Sequence, residues 1–218
     1  MKQEFRTLQE QLRAYQRKLF EANRAAIILV ESMPAAGRGH MIGNLTQYLD
    51  PRFFRLQEIF PIQPEKGRML LEPYWRLLPG KKQLAVFSGS WYTSLLQQKL
   101  DKKLKSKVSP QRYLQEFAEF ERMLLDDGLL LQKYWLQISK KEQKKRFKSY
   151  EKDPLESWRV KPSDWKAHKR YDKYSKVRDE LMQASAPVTW STINCDDLDS
   201  GLLEFLTQVN ENFKKVLA

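Results

Sequence analysis

A run of small residues between Ser32 and Gly39 has the composition and position of a phosphate-binding loop. It follows a short apolar stretch and precedes a helical pattern over residues 39–49. At such a junction the first amides of the helix lack intrahelical partners, and the helix dipole adds partial positive charge. An anion placed in the turn is bound by backbone donors, so Gly37, Arg38 and Gly39 are the predicted phosphate-binding residues.

The loop departs from the usual consensus, G-x-x-x-x-G-K-[ST]. The same span reads SMPAAGRG here, and Gly37 is the single match among the four fixed positions. Arg38 keeps a positive charge where the consensus has lysine, but its planar guanidinium differs in shape from a compact ammonium. Pro34 removes one amide donor. The sequence therefore predicts a phosphate-loop scaffold with altered chemistry, and His40 is a further candidate for phosphate contact.

Two clusters of basic residues could contact a polyanion, and each could equally be a solvated helix face. The first cluster lies in a predicted helix after Ser139, with four lysines at spacings i, i+3, i+4 and i+7 and an arginine between them. Its members are Lys141, Lys144, Lys145, Arg146 and Lys148. The second cluster consists of Lys99, Lys102, Lys103, Lys105 and Lys107.

The formal net charge of +12 indicates an anionic partner: a nucleotide, polyphosphate, nucleic acid or an acidic surface. Nucleic acid is not expected, because no groove-reading motif or single-strand platform is visible. Trp158 and Trp165 flank a predicted loop and could stack a base, or could pack a lid onto the body. One cysteine, Cys195, and two histidines leave no pattern for a metal site, and we expect Cys195 to lie in the core.

The N-terminus is charged throughout, and the longest apolar run, AAIILV, is far shorter than the roughly 18 residues of a membrane span. We therefore expect a soluble cytoplasmic protein with no membrane partner.

Strand patterns alternate with helical patterns along the whole chain, which predicts an α/β fold with a parallel sheet of about five strands and helices on both faces. We expect one domain over residues 1–218. The predicted strands are 27–30, 55–60, 83–87, 129–138 and 190–195. The predicted helices are 3–23, 39–49, 65–77, 91–105, 110–126, 140–152, a long polar helix from the loop 157–165 to about residue 183, and 202–216. Ligands of such sheets bind at the carboxyl ends of the strands, where the loop 32–39 and the turn 88–92 meet.

Four stretches of the chain resemble the polyphosphate kinase 2 family. They are ESMPAAGRGHMI from Glu31, YLDPRFF from Tyr48, VFSGSWY from Val86, and the long run from Phe120 to Trp165 that begins FERMLLDDGLLLQKYW. The resemblance implies a thymidylate-kinase-like P-loop fold with a helical lid over roughly residues 140–165. It also implies phosphoryl transfer between inorganic polyphosphate and nucleotides, with the lid covering a polyphosphate channel.

The resemblance also exposes four departures. Family members read EGRDAAGKGG at the first loop and FDRSWY at the second strand end. On that pattern Pro34 and Ser88 replace two aspartates, Arg38 replaces the lysine, and Gly89 replaces an arginine. The resemblance assigns the aspartates to magnesium or acceptor binding, and the lysine and arginine to the charge of the transferring phosphoryl group. Removal of one preorganised charge stabiliser typically costs about 100- to 1000-fold in rate.

These losses are similar to those of the N-terminal half of two-domain polyphosphate:AMP phosphotransferases. The expected function is a catalytically degenerate domain that binds polyanions or serves as a structural partner, as a homo-oligomer or beside an active family domain. The chain could be a stand-alone copy, half of a split system, or a fragment. The alternative is an active polyphosphate:nucleotide phosphotransferase, for AMP or ADP, that recruits Glu31, Asp50 and Arg52. Magnesium is expected only in that case.

Overall fold

The computed structural model describes residues 2–61, 69–100, 109–184 and 187–217. The described strands form one five-stranded sheet in the order β2-β3-β1-β4-β5. They are β1 (Ala26–Ser32), β2 (Phe54–Glu58), β3 (Leu84–Ser88), β4 (Leu130–Gln137) and β5 (Trp190–Asn194). Every neighbouring pair is parallel. The predicted α/β fold with a parallel sheet of five strands is confirmed.

Helices cover both faces of this sheet. Those of the described residues are α1 (Lys2–Glu21), α2 (Arg38–Thr46), α3 (Glu72–Trp75), α4 (Tyr92–Leu100), α5 (Pro110–Asp126), α6 (Lys140–Lys152), α7 (Pro162–Lys169), α8 (Tyr171–Ala184) and α9 (Leu198–Leu217). Helices α1, α2 and α9 contact one another, and α4 contacts α5 and α8. The central strand β1 is buried from Ala26 to Glu31, as expected of a parallel strand between two helical layers.

Three helix ends have local capping features. Ser139 accepts a hydrogen bond from the Glu142 amide, and Ser109 accepts one from the amide of Arg112. Gly128 ends α5 at φ 81°, a conformation that glycine adopts without a steric penalty.

The predicted loop 157–165 is partly wrong, because it contains a short 3₁₀ turn and the start of α7. Pro162 suits the first turn of this helix, and the Asp164 carboxylate accepts from the Lys161 amide at 2.7 Å. Arg170 leaves the helical conformation, so the predicted long polar helix is divided into α7 and α8.

Two other predicted helices are shorter than expected or only partly described. Among the described residues of the predicted helix 65–77, only Glu72–Trp75 is helical, and residues 65–68 lie outside the described ranges. Helix α4 begins at Tyr92 and is described as far as Leu100, while residues 101–105 of the predicted helix 91–105 lie outside the described ranges. None of the helices in the described ranges has both the length and the apolar composition needed to cross a membrane.

Candidate functional site

The loop after β1 adopts the backbone conformation that a phosphate-binding turn requires. Ala35 and Gly37 have φ angles of 61° and 93°, and α2 begins at the next residue. A Cβ on Gly37 would lie 2.6 Å from Cδ2 of Leu198 at the start of α9. Position 37 therefore favours glycine, chiefly because of its positive φ angle.

Several amides at this turn are free to bind an anion. The Ala36 amide donates to the Met33 carbonyl at 3.1 Å, and the Met41 amide donates to the Gly37 carbonyl at 2.9 Å. Within the described residues, no backbone carbonyl accepts from the amides of Arg38, Gly39 or His40. The predicted phosphate donors thus surround the start of α2, and both Gly39 and His40 are exposed.

The Arg38 guanidinium contacts a carboxylate at the end of the edge strand β2, which β3 separates from β1. Nη2 of Arg38 lies 3.2 Å from Oε1 of Glu58, and the two side chains are 31% and 48% exposed. The cation at the family's lysine position therefore remains at the site, but it already has an anionic partner.

Glu31 is an acidic residue buried at the same end of the sheet. Its side chain is 3% exposed, and Oε1 accepts hydrogen bonds from Ser90 Oγ at 2.7 Å and from Thr93 Oγ1. Burial raises the pKa of Glu31, and the hydroxyl donors and the positive charge of Arg38 oppose this effect only in part. The carboxyl group is consequently easier to protonate than an exposed glutamate.

The turn after β3 contains the other two departures from the family pattern. Ser88 ends the strand and is 5% exposed. Gly89 has φ 96°, and its amide donates to the Val30 carbonyl at 2.9 Å. A Cβ on Gly89 would lie 3.0 Å from the Ile59 carbonyl oxygen and 3.1 Å from Thr93 Oγ1. Position 89, where the resemblance places an arginine, therefore has a conformation and a space that favour glycine.

A buried ion pair lies beneath the SGSWY turn and contacts its two aromatic residues. Glu121 on α5 and Lys133 on β4 are both fully buried, with Nζ 2.9 Å from Oε2. Oε1 of Glu121 also accepts from Tyr92 OH at 2.8 Å and from Trp91 Nε1 at 3.2 Å. Burial raises the pKa of Glu121 and lowers that of Lys133, in each case against the attraction of the partner. These contacts fix both aromatic residues of the SGSWY turn.

Sequence reasoning did not predict this pair. A signal was nevertheless present, because Lys133 interrupts an otherwise apolar strand and Glu121 follows Phe120 on the buried side of an amphipathic helix. A lysine inside a buried strand requires an acidic partner from another element.

Helix α6, which lies in the predicted lid region, is attached directly to the phosphate loop. Gln143 Nε2 donates to the Pro34 carbonyl at 2.9 Å, and Arg146 Nη1 donates to the Ala35 carbonyl at 3.1 Å. Nη2 of Arg146 donates to the carbonyls of Cys195 and Asp196. Arg146 was predicted to bind polyanions with the four lysines, but it is only 8% exposed and faces the loop instead. The Arg146 guanidinium therefore links the phosphate loop to the segment after β5 by donating to backbone carbonyls of both.

The four lysines do lie together on the exposed face of α6. A surface groove there is lined by Lys141, Lys144, Lys145, Lys148, Ser149 and Lys152. Lys145 also forms an exposed ion pair with Glu142 at 3.3 Å. In the second predicted cluster, Lys99 pairs with Glu180 at 2.6 Å, and the other four lysines lie outside the described residues.

The two tryptophans of the lid region have different environments. Trp165 packs edge-on against Phe147 and His168, within the lid itself. Trp158 is 70% exposed, and its Nε1 donates to the Leu155 carbonyl at 2.9 Å. Neither residue packs the lid onto the sheet, and Trp158 is the one that remains accessible. Cys195 is buried as expected, and burial raises the pKa of its thiol to about 12.

The residues proposed for a recruited active site are not brought together. Asp50 and Arg52 precede β2 and therefore lie at the amino edge of the sheet, whereas Glu31 lies near the carboxyl edge. Both carboxylate oxygens of Asp50 accept from Arg52, at 3.0 and 2.7 Å, which lowers the pKa of Asp50 to about 2. Only Glu31 of this set belongs to the candidate site.

The residues present at the site do not fit a magnesium ion. Magnesium is usually held by one or two carboxylates together with substrate phosphates. Pro34 and Ser88 offer none, and Glu31 is engaged by two hydroxyl donors while burial favours its neutral form. Within the described ranges, no group of three or more His, Cys, Asp or Glu side chains could hold a metal ion.

Glu31→Gln is expected to stabilise the protein at neutral pH. Because burial raises the folded-state pKa of Glu31, its contribution is favourable below the unfolded-state pKa and is lost as pH rises through the folded-state pKa. Glutamine can still accept from Ser90 and Thr93 without the charge. We expect a gain of about 1 kcal/mol near pH 7, or about 2–4 °C in Tm.

Thermal unfolding at about pH 7 and pH 4 measures this effect, and the gain should shrink at the lower pH. Glu119→Gln, on the exposed face of α5, is the matched control and should change Tm little at either pH. A less stable Glu31→Gln protein at neutral pH would mean that the ionised carboxylate is well solvated or well paired.

The sequence of this chain is similar to those of known polyphosphate kinase 2 proteins. A family model described as Polyphosphate kinase 2 matches residues 1–216. A polyphosphate:AMP phosphotransferase of Pseudomonas syringae pv. tomato is 34% identical over 170 residues, covering 76% of this chain and 33% of the relative. A GDP-polyphosphate phosphotransferase of Mycobacterium tuberculosis is 34% identical over 176 residues, covering 78% and 58%. The chain therefore spans well under two thirds of the length of these curated relatives.

Solved structures share the fold. A crystal structure of a provisionally named polyphosphate kinase 2 from Pseudomonas aeruginosa PA01 superposes with a TM-score of 0.90 at 26% identity, covering 99% of this chain and 47% of that one. Polyphosphate kinase 2 from Arthrobacter aurescens TC1 superposes with a TM-score of 0.86 at 20% identity, covering 97% and 77%. The second likeness concerns the fold alone.

Proposed function

The chain belongs to the polyphosphate kinase 2 family, whose members transfer phosphoryl groups between polyphosphate and nucleotides, and we propose that it binds these anions but transfers phosphoryl groups poorly or not at all. The observation that carries this proposal is that the start of α2 keeps backbone amides with no backbone acceptor in the described part of the chain, while Pro34 and Ser88 replace the two aspartates that the resemblance assigns to magnesium or acceptor binding.

Retention of anion binding is supported by the loop and by the lid. The amides of Arg38, Gly39 and His40 have no backbone acceptors among the described residues. The exposed lysine face of α6 offers a row of cations to a flexible chain of phosphates. A net charge of +12 further favours the encounter with a polyanion.

Loss of transfer is supported by the chemistry of the four departures. A phosphoryl group in transfer requires a metal ion and fixed cations around its oxygens. Each missing stabiliser costs about 100- to 1000-fold, although the effects of coupled groups do not add. The relatives that match this chain are named as phosphotransferases, so the proposed loss of transfer is open to direct test against them.

An active polyphosphate:nucleotide phosphotransferase, acting on AMP or ADP, is the second candidate. The position of Glu31 favours it, because this carboxyl group lies at the carboxyl end of β1 and interacts electrostatically with Arg38. Asp50 and Arg52 do not support it, since they lie at the other edge of the sheet.

A transfer assay from long polyphosphate to AMP, ADP and GDP, with magnesium or manganese, separates the two candidates. We expect turnover far below about one per second, an ordinary enzyme rate. An active family member provides the positive control. Turnover at about that rate, abolished by Arg38→Ala, would establish the second candidate instead.

Removal of lysines from the lid tests the proposed binding. Lys144→Ala together with Lys148→Ala should weaken the affinity for long polyphosphate about tenfold at low salt, and should reduce its salt dependence. Lys214→Ala together with Lys215→Ala, at the end of α9, removes the same charge from the amino edge and is the control. Equal losses of affinity in the two double variants would mean that the lysine face acts only through its net charge and is not a specific binding surface.

Single-stranded DNA of the same total charge is the control for the ligand. Binding of polyphosphate without a preference for DNA would exclude nucleic acid as the partner, whereas a preference for DNA would contradict the proposed ligand.

We also propose that the chain corresponds to the catalytically altered domain of a two-domain polyphosphate:AMP phosphotransferase. The P. syringae relative of that name, of which the matched part is 33%, supports this correspondence. Such a domain would act beside an active family domain or as a homo-oligomer. Co-purification with an active domain, and a change in the transfer rate of that domain, would test the pairing.

A further inference from the structure

The cation of the phosphate loop is held by a residue from another strand. Arg38 is the first residue of α2, and its side chain reaches across to Glu58, the last residue of β2. The contact is a single one, from Nη2 to Oε1 at 3.2 Å, and both side chains are partly exposed. An ion pair of this kind is weak enough to open when a competing anion arrives.

A phosphate bound by the amides at the start of α2 would lie beside this guanidinium, since Arg38 contributes both its amide and its side chain to the same turn. Phosphate oxygens and carboxylate oxygens are alternative acceptors for the same guanidinium donors. Glu58 therefore occupies the donor that the ligand needs, and it adds a negative charge close to the binding position.

We infer that Glu58 is an internal competitor for the phosphate loop, and that displacement of its carboxylate sets the affinity for inorganic phosphate chains. The inference rests on the proposed anion binding, and it assigns to Glu58 a role in determining affinity. Because no metal ion fits the site, the competition is between two anions for one guanidinium. A role in which Glu58 merely orients Arg38 predicts the opposite sign, since its removal would then weaken binding.

The probe is tripolyphosphate, titrated calorimetrically at low salt in the presence of a chelator. Glu58→Gln is expected to bind tripolyphosphate about three- to tenfold more tightly than the unaltered chain, because one nearby negative charge and one competing acceptor are removed. Arg38→Ala should bind it more weakly. In the Arg38→Ala background the added Glu58→Gln substitution should produce little further gain.

Two controls keep the result specific. Glu10→Gln neutralises another exposed, ion-paired glutamate, on α1 and outside the predicted sites, so it reports the effect of net charge alone. Arg38→Lys keeps a cation at the loop, and Glu58→Gln should also tighten binding in that background. Thermal melts of every variant establish that the compared proteins are folded.

An unchanged or weaker affinity of Glu58→Gln would overturn the inference, provided that the unaltered chain binds tripolyphosphate and Arg38→Ala weakens it. An equal gain in Glu10→Gln, or an undiminished gain in the Arg38→Ala background, would also overturn it. If neither the unaltered chain nor any variant binds tripolyphosphate, the proposed anion binding itself fails, and the role of Glu58 fails with it.

Discussion

Lys133→Ala should lower the free energy of unfolding by about 3–5 kcal/mol, which is among the largest losses that a single substitution causes. Lys133 and Glu121 are both fully buried and lie 2.9 Å apart. Without the ammonium, the Glu121 carboxylate is left with hydrogen bonds from Trp91 and Tyr92 but no compensating charge. The carboxyl group must then either carry an unpaired buried charge or take up a proton.

The pH dependence of this loss has a defined sign. Burial already raises the pKa of Glu121, and removal of Lys133 removes the attraction that opposes this effect. The protonated form stabilises the fold below the unfolded-state pKa, and this stability is lost as pH rises through the folded-state pKa. The deficit of Lys133→Ala should therefore be largest near neutral pH and should shrink as the solution is acidified.

Denaturant unfolding at two pH values measures the deficit, and a second variant separates charge from packing. Lys133→Met combined with Glu121→Gln removes both charges but keeps an acceptor for Trp91 and Tyr92, so it should recover most of the stability. Lys140→Ala breaks an exposed pair with Asp172 and should cost less than about 1 kcal/mol. A Lys133→Ala deficit no larger than that of Lys140→Ala would contradict the burial of the pair.

The centre of the sheet could be predicted from the sequence because β1 and β3 are apolar runs bounded by residues that end regular structure, whereas the edge strands β2 and β5 are more polar. Strand β1 reads AIILVES and is buried from end to end except at its last residue. The helices were less predictable near Pro162 and Arg170, where one polar segment divides into two helices. Propensity alone places neither the start of α7, where Asp164 caps the Lys161 amide, nor the break at Arg170.

The sequence shows that the residues of α6 are basic, but it does not show which group each of them contacts. Arg146 and Lys145 are adjacent basic residues on α6, yet one is buried against the phosphate loop and the other is exposed. Helical geometry contained the distinction, because a residue five positions after Lys141 lies about 140° away from it around the helix axis. The tertiary packing of α6 determines which of its faces contacts the phosphate loop.

The order of the elements alone separates Asp50 and Arg52 from the phosphate loop. A helix that follows a parallel strand returns the chain to the amino edge of the sheet, so the residues after α2 cannot join the loop before it. Glu31 does lie next to the phosphate loop, because it belongs to β1, the strand that leads into that loop. The topology of the βαβ unit was therefore sufficient to reduce the proposed acidic set to one residue.

Pro34→Asp, Arg38→Lys and Ser88→Asp together should give the site a magnesium-dependent stability that the natural sequence lacks. Two carboxylates close to Glu31 repel one another without a cation, and a bound magnesium ion relieves that repulsion. At magnesium concentrations about tenfold above its dissociation constant, Tm should rise by about 3 °C. The unaltered chain is the control, and an equal rise in both proteins would mean that no site had been made.

Transfer activity should return only in part in this triple variant, because the family's arginine is still absent. A single missing charge stabiliser leaves the rate about 100- to 1000-fold below that of an active family member. Polyphosphate-dependent phosphorylation of AMP or ADP measures the recovery. No recovery at all, in a protein that does bind magnesium, would mean that the scaffold no longer aligns its substrates.

The addition of Gly89→Arg should destabilise the triple variant instead of completing the site. A residue with a Cβ at φ 96° is strained by about 1–2 kcal/mol, and the Cβ would also lie 3.0 Å from the Ile59 carbonyl oxygen. We expect Tm to fall by about 4 °C or more, with no gain in transfer rate. Thr93→Ala could relieve the contact at 3.1 Å, but it leaves the backbone contact with Ile59 unchanged. If Gly89→Arg instead restores the rate without loss of stability, the turn can readopt the family's conformation and glycine was no barrier to function.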